Sequence, residues 1–79
     1  MGYNEEIQEM RMRFRLQICN EWSEQIADAV RDGIAPTRLM ATIAQRHETT
    51  YQNVLKILKN AGLYSGAKET IKEYQNEEA

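Results

Sequence analysis

Apolar residues recur every three or four positions through the first part of the chain, which predicts one long helix over residues 4–32. Asn4 is a suitable N-cap for its start. No Gly or Pro interrupts the pattern before Gly33, where we expect a left-handed stop with Ile34 folded back onto the last turn. The helix would then be roughly 43 Å long at ~1.5 Å per residue. Its main apolar stripe comprises Ile7, Met10, Phe14, Ile18, Trp22, Ile26 and Val30.

Two shorter helical patterns follow, separated by the polar residues 47–50. The first begins at Pro36, a residue well tolerated in a first helical turn, and runs to about Arg46. The second ends before Gly62 and has two competing caps, because Thr49 has capping-box spacing to Gln52 and Thr50 follows directly. The inward positions are Leu39, Met40, Ile43 and Ala44 in the first pattern, and Val54, Ile57, Leu58 and Ala61 in the second.

A short C-terminal helix is predicted after Tyr64-Ser65-Gly66, with Ile71 and Tyr74 inward and a polar tail behind it. No stretch has the pattern of a strand. We therefore predict an all-α fold, with residues 1–79 forming a single helical domain. It consists of a long helical segment (4–33), a two-helix unit (36–62), and a C-terminal helix with its tail (63–79).

Charge is distributed unevenly along a chain of 79 residues whose net charge is −2. Residues 34–59 carry four basic side chains and one acidic one, whereas the segments on either side are net negative. The two-helix unit is thus the one positive segment, and a surface that binds nucleic acid needs local positive charge more than a high total.

Several classes of function are disfavoured by what the sequence lacks. No apolar run approaches 18 residues, so we expect no membrane span, and the acidic N-terminus lacks a signal-peptide apolar block, which makes the cytoplasm the default compartment. One Cys and one His do not make a disulfide or an ordinary metal site. Without a phosphate-binding glycine loop or a nucleophile–base set, we expect no catalytic residues, no cofactor and no small-molecule substrate.

The long helix is expected to be too long for two short helices to cover its whole apolar face. Its surplus apolar face would then pack against a second copy in a two-fold dimer. A chain this small also has a marginal core, which favours a partner subunit. Alternatively the helix bends near Cys19-Asn20, or the C-terminal helix folds back over it. The predicted interface residues, two of which (Phe14 and Trp22) could equally lie in the core, are Ile7, Met10, Phe14, Leu16, Ile18 and Trp22.

Residues 40–59, with ATIAQRHETTYQNVLKIL at their centre, resemble the helix-turn-helix of bacterial, phage and plasmid DNA-binding regulators. Ile43-Ala44 stand where that family has an apolar and a small residue, and Val54 and Ile57 at the two buried positions of its recognition helix. Glu48 stands where glycine is most frequent. A left-handed Glu costs on the order of 1 kcal/mol more than Gly, so we expect a longer or differently shaped turn.

The resemblance implies sequence-specific binding of double-stranded DNA by a homodimer, such as a small nucleoid-associated repressor or a plasmid or phage accessory factor. Gln and Asn suit adenine, and Lys suits guanine or phosphate. Basic residues flanking the unit would hold phosphates. The implied DNA-binding residues are Arg38, Arg46, Thr49, Thr50, Tyr51, Gln52, Asn53, Lys56 and Lys59.

Two further interpretations remain open. Arg11 and Arg15 share a helix face at a spacing of four residues, and they are either a solvated flank or a second set of phosphate contacts. The whole chain could instead be a helical protein–protein adaptor or inhibitor without DNA binding, whose long helix, with its Met and aromatic residues, forms the binding surface. The net acidity favours that alternative.

Overall fold

Four helices make up residues 2–75, the part of the chain that our computed structural model describes, with side chains described from residue 5 onward. They are α1 (Gly2–Arg31), α2 (Pro36–Arg46), α3 (Tyr51–Asn60) and α4 (Ala67–Gln75), and no strand occurs among these residues. The predicted all-α class is confirmed. The predicted polar tail lies outside the described residues from position 76 onward.

The predicted helix bounds agree with the structure to within about two residues. α1 begins at Gly2, so Asn4 lies inside the helix and is not its N-cap. Pro36 occupies the first turn of α2, as expected. No described helix combines the length with the hydrophobicity needed to cross a membrane.

Glycine ends two of the helices in the way that the sequence predicts. Gly33 has φ +80° after α1, and the N–H of Ile34 donates to the carbonyl of Ala29 at 2.8 Å. Gly62 has φ +75° after α3, and the following N–H bonds back to the carbonyl of Leu58 at 3.0 Å. Because glycine has no Cβ, it adopts this left-handed conformation without steric cost.

Glu48 ends α2 in the same left-handed conformation, with φ 55°. The N–H of Thr49 donates to the carbonyl of Ala44 at 2.9 Å, which repeats the bonding at the two glycine stops. The prediction of a longer or differently shaped turn is therefore wrong, since Glu48 itself adopts the conformation that glycine would favour. The connection between α2 and α3 is only residues 47–50.

Replacing Glu48 with glycine is expected to raise the free energy of unfolding by about 1 kcal/mol, because the Cβ strain at φ 55° disappears. Urea titration followed by circular dichroism measures this change. Glu48→Gln is the matched control, since it removes the charge and keeps the Cβ. A Glu48→Gly chain no more stable than the Glu48→Gln chain would show that the conformation carries no strain.

The core is one cluster to which α1, α2 and α3 all contribute. Trp22 is a buried member of it and meets Tyr64 of the α3–α4 connection edge to face, with ring centroids 5.8 Å apart. Ile71 and Tyr74 of α4 pack against the cluster, as predicted, whereas Ala61 follows α3 and is exposed. The buried members of the cluster are Ile18, Trp22, Ile26, Ala29, Val30, Leu39, Met40, Ile43, Ala44, Val54, Ile57 and Leu58.

Two of the residues predicted for a dimer interface belong to this core. Ile18 is 0% exposed and Trp22 is 1% exposed within the single chain. Neither side chain is available to a second copy, so the prediction is corrected for these two. The sequence pattern correctly placed them on the apolar face, but that face packs against α2 and α3.

The first half of α1, residues 5–17, is mostly exposed, and we call it the α1 overhang. In this segment only Ile7 and Phe14 are half-buried, and the other side chains are exposed. α1 continues without a break through Cys19-Asn20, and the end of α4 lies beside Val30. The end of α4 therefore lies away from the overhang.

Candidate nucleic-acid interface

The start of α3 is capped by Thr50, not by Thr49. The N–H of Asn53 donates to the hydroxyl oxygen of Thr50 at 3.1 Å, and Thr50 has the extended backbone of an N-cap. The hydroxyl of Thr49 has a different partner, since it accepts from the side-chain amide of Asn53 at 2.9 Å. Both threonines therefore hold the first turn of α3 in place.

Three predicted residues form an exposed strip along α3, which we call the α3 polar edge: Gln52, Lys56 and Lys59. Their spacing of three to four residues puts them on the side opposite the buried Val54 and Leu58. Of the other predicted contacts, Thr50 is also exposed, and Tyr51, Asn53 and Thr49 are half-buried. Helix α3 carries no carboxylate, so the edge presents amide and ammonium groups without an acidic neighbour on its own helix.

A groove of about 590 Å³ separates α3 from the α1 overhang, and we call it the α1–α3 groove. Its α1 wall carries two arginines, its α3 wall carries one lysine and two asparagines, and apolar side chains lie between. No carboxylate lines it among the residues that the structure describes. The lining residues are Met10, Arg11, Phe14, Arg15, Asn53, Lys56, Ile57 and Asn60.

The sequence left Arg11 and Arg15 open as a solvated flank or a second set of phosphate contacts, and it also contained a signal for their position. Arg15 lies three residues before Ile18 and seven before Trp22, and positions 11, 15, 18 and 22 step by four, three and four residues along one helix face. The face that enters the core at Ile18 thus continues along the overhang as two arginines. No comparable pattern in the sequence indicated that Asn60 would line the groove.

Glu21 links α1 to the end of α2 through two basic side chains. Its carboxylate pairs with the guanidinium of Arg46 and lies 2.6 Å from Nε2 of His47. The ring of His47 also meets Phe14 edge to face, with centroids 6.1 Å apart. These contacts hold the α2–α3 connection against α1. The sequence offered no signal for Glu21, because its partners lie 25 and 26 residues further along the chain.

The flanking arginines predicted to hold phosphate do not lie together with the α3 polar edge. The charge of Arg46 is offset by Glu21. Arg38 is exposed and lines a separate groove between α1 and α2 that also contains Asp28 and Asp32. Of the three basic residues predicted to flank the unit, Lys59 is the one that lies on the α3 polar edge. Apart from its own two lysines, α3 has the positive charges of Arg11 and Arg15 of α1 across the groove.

Titratable groups near the core are shifted towards their neutral forms. Burial raises the pKa of the Cys19 thiol. Burial also raises the pKa of Tyr64, with smaller effects from Tyr51 and Glu69. Both shifts lower the fraction of the nucleophilic anion at neutral pH. Among the described residues, no three His, Cys, Asp or Glu side chains are grouped so as to hold a metal ion.

Comparison with protein-family models, with curated proteins and with solved structures found no match for this chain. Its function has to be inferred from the residues of the α3 polar edge and the α1–α3 groove.

Proposed function

We propose that this chain binds double-stranded DNA sequence-specifically, with α2 and α3 as a helix-turn-helix and α3 as its recognition helix. The observation that carries the proposal is the α3 polar edge, where Gln52, Lys56 and Lys59 are exposed on a helix without carboxylates. The Gln52 amide suits the paired donor and acceptor of adenine. The lysines suit guanine or phosphate.

The connection between α2 and α3 supports this proposal. It is four residues long, and its left-handed position is Glu48, which aligns with the glycine of the family that the sequence resembles. The buried Ile43 and Ala44 of α2 and Val54 of α3 share one core, as the resemblance implies. The free backbone N–H groups that begin α3, next to Thr50, can in addition bind phosphate oxygens.

We propose further that two copies act together, as a small transcriptional repressor or a plasmid or phage accessory factor in the cytoplasm. Of the predicted interface residues outside the core, Ile7 and Leu16 are left for this contact, because Met10 and Phe14 line the α1–α3 groove. In such a dimer, the two copies of α3 would meet half-sites about one helical turn of DNA apart, roughly 34 Å.

A second candidate function is a protein–protein adaptor or inhibitor that uses the α1 overhang alone. Met10, Met12 and Leu16 are 67%, 61% and 54% exposed, and flexible apolar side chains of this kind suit adaptable binding surfaces. Met12 and Leu16 point away from Met10, because each residue adds about 100° around a helix, which puts them about 200° and about 240° from it. The three therefore do not form one continuous apolar stripe.

The salt dependence of binding separates the two candidates. We expect the chain to bind a pool of random-sequence duplexes at low salt, with the logarithm of the affinity falling by about 0.9 per phosphate contact for each tenfold increase in salt. Fluorescence anisotropy measures the affinity, and size-exclusion chromatography with light scattering gives the mass with and without DNA. An absence of duplex binding at low salt would contradict the proposal. A monomeric mass in the complex would contradict its dimeric form.

A further inference from the structure

We infer that the α1–α3 groove binds the sugar–phosphate backbone of the duplex, with Arg11 and Arg15 contacting phosphates beside the bases that α3 reads. This inference rests on the proposed function and adds to it a second helix. Neither arginine belongs to the helix-turn-helix unit.

The composition of the groove matches a phosphate chain. Arg11, Arg15 and Lys56 supply three positive charges, and the side chains of Asn53 and Asn60 supply amide N–H donors. A guanidinium presents a planar fork of N–H groups that fits two phosphate oxygens at once. Because no carboxylate of the described residues lines the groove, nothing there competes with phosphate for these donors.

The two arginines lack the neighbours expected of a purely solvated flank. On α1, the positions three and four residues from Arg11 and Arg15 hold no acidic residue, and each arginine is the other's neighbour at a spacing of four. Like charges at that spacing destabilise a helix. Neither arginine forms an ion pair with any residue that the structure describes, whereas Arg31 pairs with Asp28 at 3.2 Å. An anion bound in the groove would relieve the repulsion.

The groove is continuous with the α3 polar edge. Lys56 belongs to both, because it is exposed on α3 and also lines the groove. The sugar–phosphate backbone of the bases that Gln52 contacts would therefore run towards the α1 wall of the groove. Phe14 sets the position of that wall, since it packs against the core and against the ring of His47 and lies between the two arginines in sequence.

The double variant Arg11→Gln/Arg15→Gln tests the inference in the full chain. Affinity for random-sequence duplexes is measured between low and moderate salt, beside the unmodified chain. Two lost phosphate contacts should reduce the salt slope by about 1.8 and weaken binding about 60-fold at ~0.1 M salt. A second variant, Arg11→Lys/Arg15→Lys, keeps the charges and should retain the slope. Circular dichroism establishes that each chain is folded.

The matched control is Arg13→Gln/Lys72→Gln, which removes the same charge from exposed positions outside the groove. Its slope should stay close to that of the unmodified chain. If the unmodified chain binds DNA and both glutamine variants weaken binding equally, the groove inference is overturned and the proposed function stands. If the unmodified chain binds no duplex at low salt, both are overturned.

Discussion

Replacing Gln52 and Lys56 with alanine is expected to weaken binding to a selected DNA site by about 100-fold or more. One base contact contributes about 1–3 kcal/mol to the choice of base, and a lysine contact to phosphate adds roughly tenfold at ~0.1 M salt. The measurement uses a duplex selected by the unmodified chain from a random pool, with anisotropy titration of both chains. The variant should also lose its preference for the selected duplex over a scrambled one.

The fold should survive this change, which makes the result interpretable. Both side chains are exposed, and alanine favours a helix, so stability should change by only about 0.5 kcal/mol. Lys72→Ala/Gln75→Ala on α4 is the matched control, because it removes the same two side-chain types from a helix outside the proposed interface. Binding by the Gln52/Lys56 variant within a few-fold of the control would mean that α3 does not read the bases.

Replacing Trp22 with alanine is expected to lower the free energy of unfolding by about 3–5 kcal/mol. Trp22 is 1% exposed and meets Tyr64 edge to face, so its loss leaves a cavity and removes an aromatic contact. A chain of this size has a total stability of only about 4–12 kcal/mol. The variant should therefore lose a large part of its stability, so that its unfolding midpoint in urea, followed by circular dichroism, falls markedly.

Leu16→Ala separates a core role from an interface role. Leu16 is 54% exposed, and its truncation should change stability by only about 0.5 kcal/mol in the single chain. If the Trp22→Ala chain stays folded but becomes monomeric, Trp22 belongs to a dimer interface and not to the core. If the free energy of unfolding falls on dilution in the Leu16→Ala chain but not in the unmodified chain, Leu16 belongs to the contact between copies.

The periodicity of the chain was enough to predict the helices and most of the buried positions. Ile43, Val54 and Leu58 are buried as the spacing indicates, because a helix in a small protein must turn its apolar face inward. Gly33 and Gly62 marked helix ends because their left-handed backbone is a local property. Glu48 shows the limit of that local reasoning, since it takes the same conformation despite its Cβ.

The composition of the site could be predicted only in part. Gln52 and Lys56 followed from the helix period, because their exposure depends on the same face that buries Val54. The helix period could not predict that Arg46 pairs with Glu21, since Glu21 lies far away along the chain. The basic wall formed by Arg11 and Arg15 depends on which side of α3 the overhang passes.

The sequence by itself thus determined the class of fold, the ends of the helices and the face that each helix buries. The tertiary structure decided what each face packs against, so that Ile18 and Trp22 lie in the chain's own core. It also decided that Arg11 and Arg15 line a groove with Lys56. The physical reason is that helix periodicity is a local property, whereas the register between two packed helices depends on side chains distant in sequence.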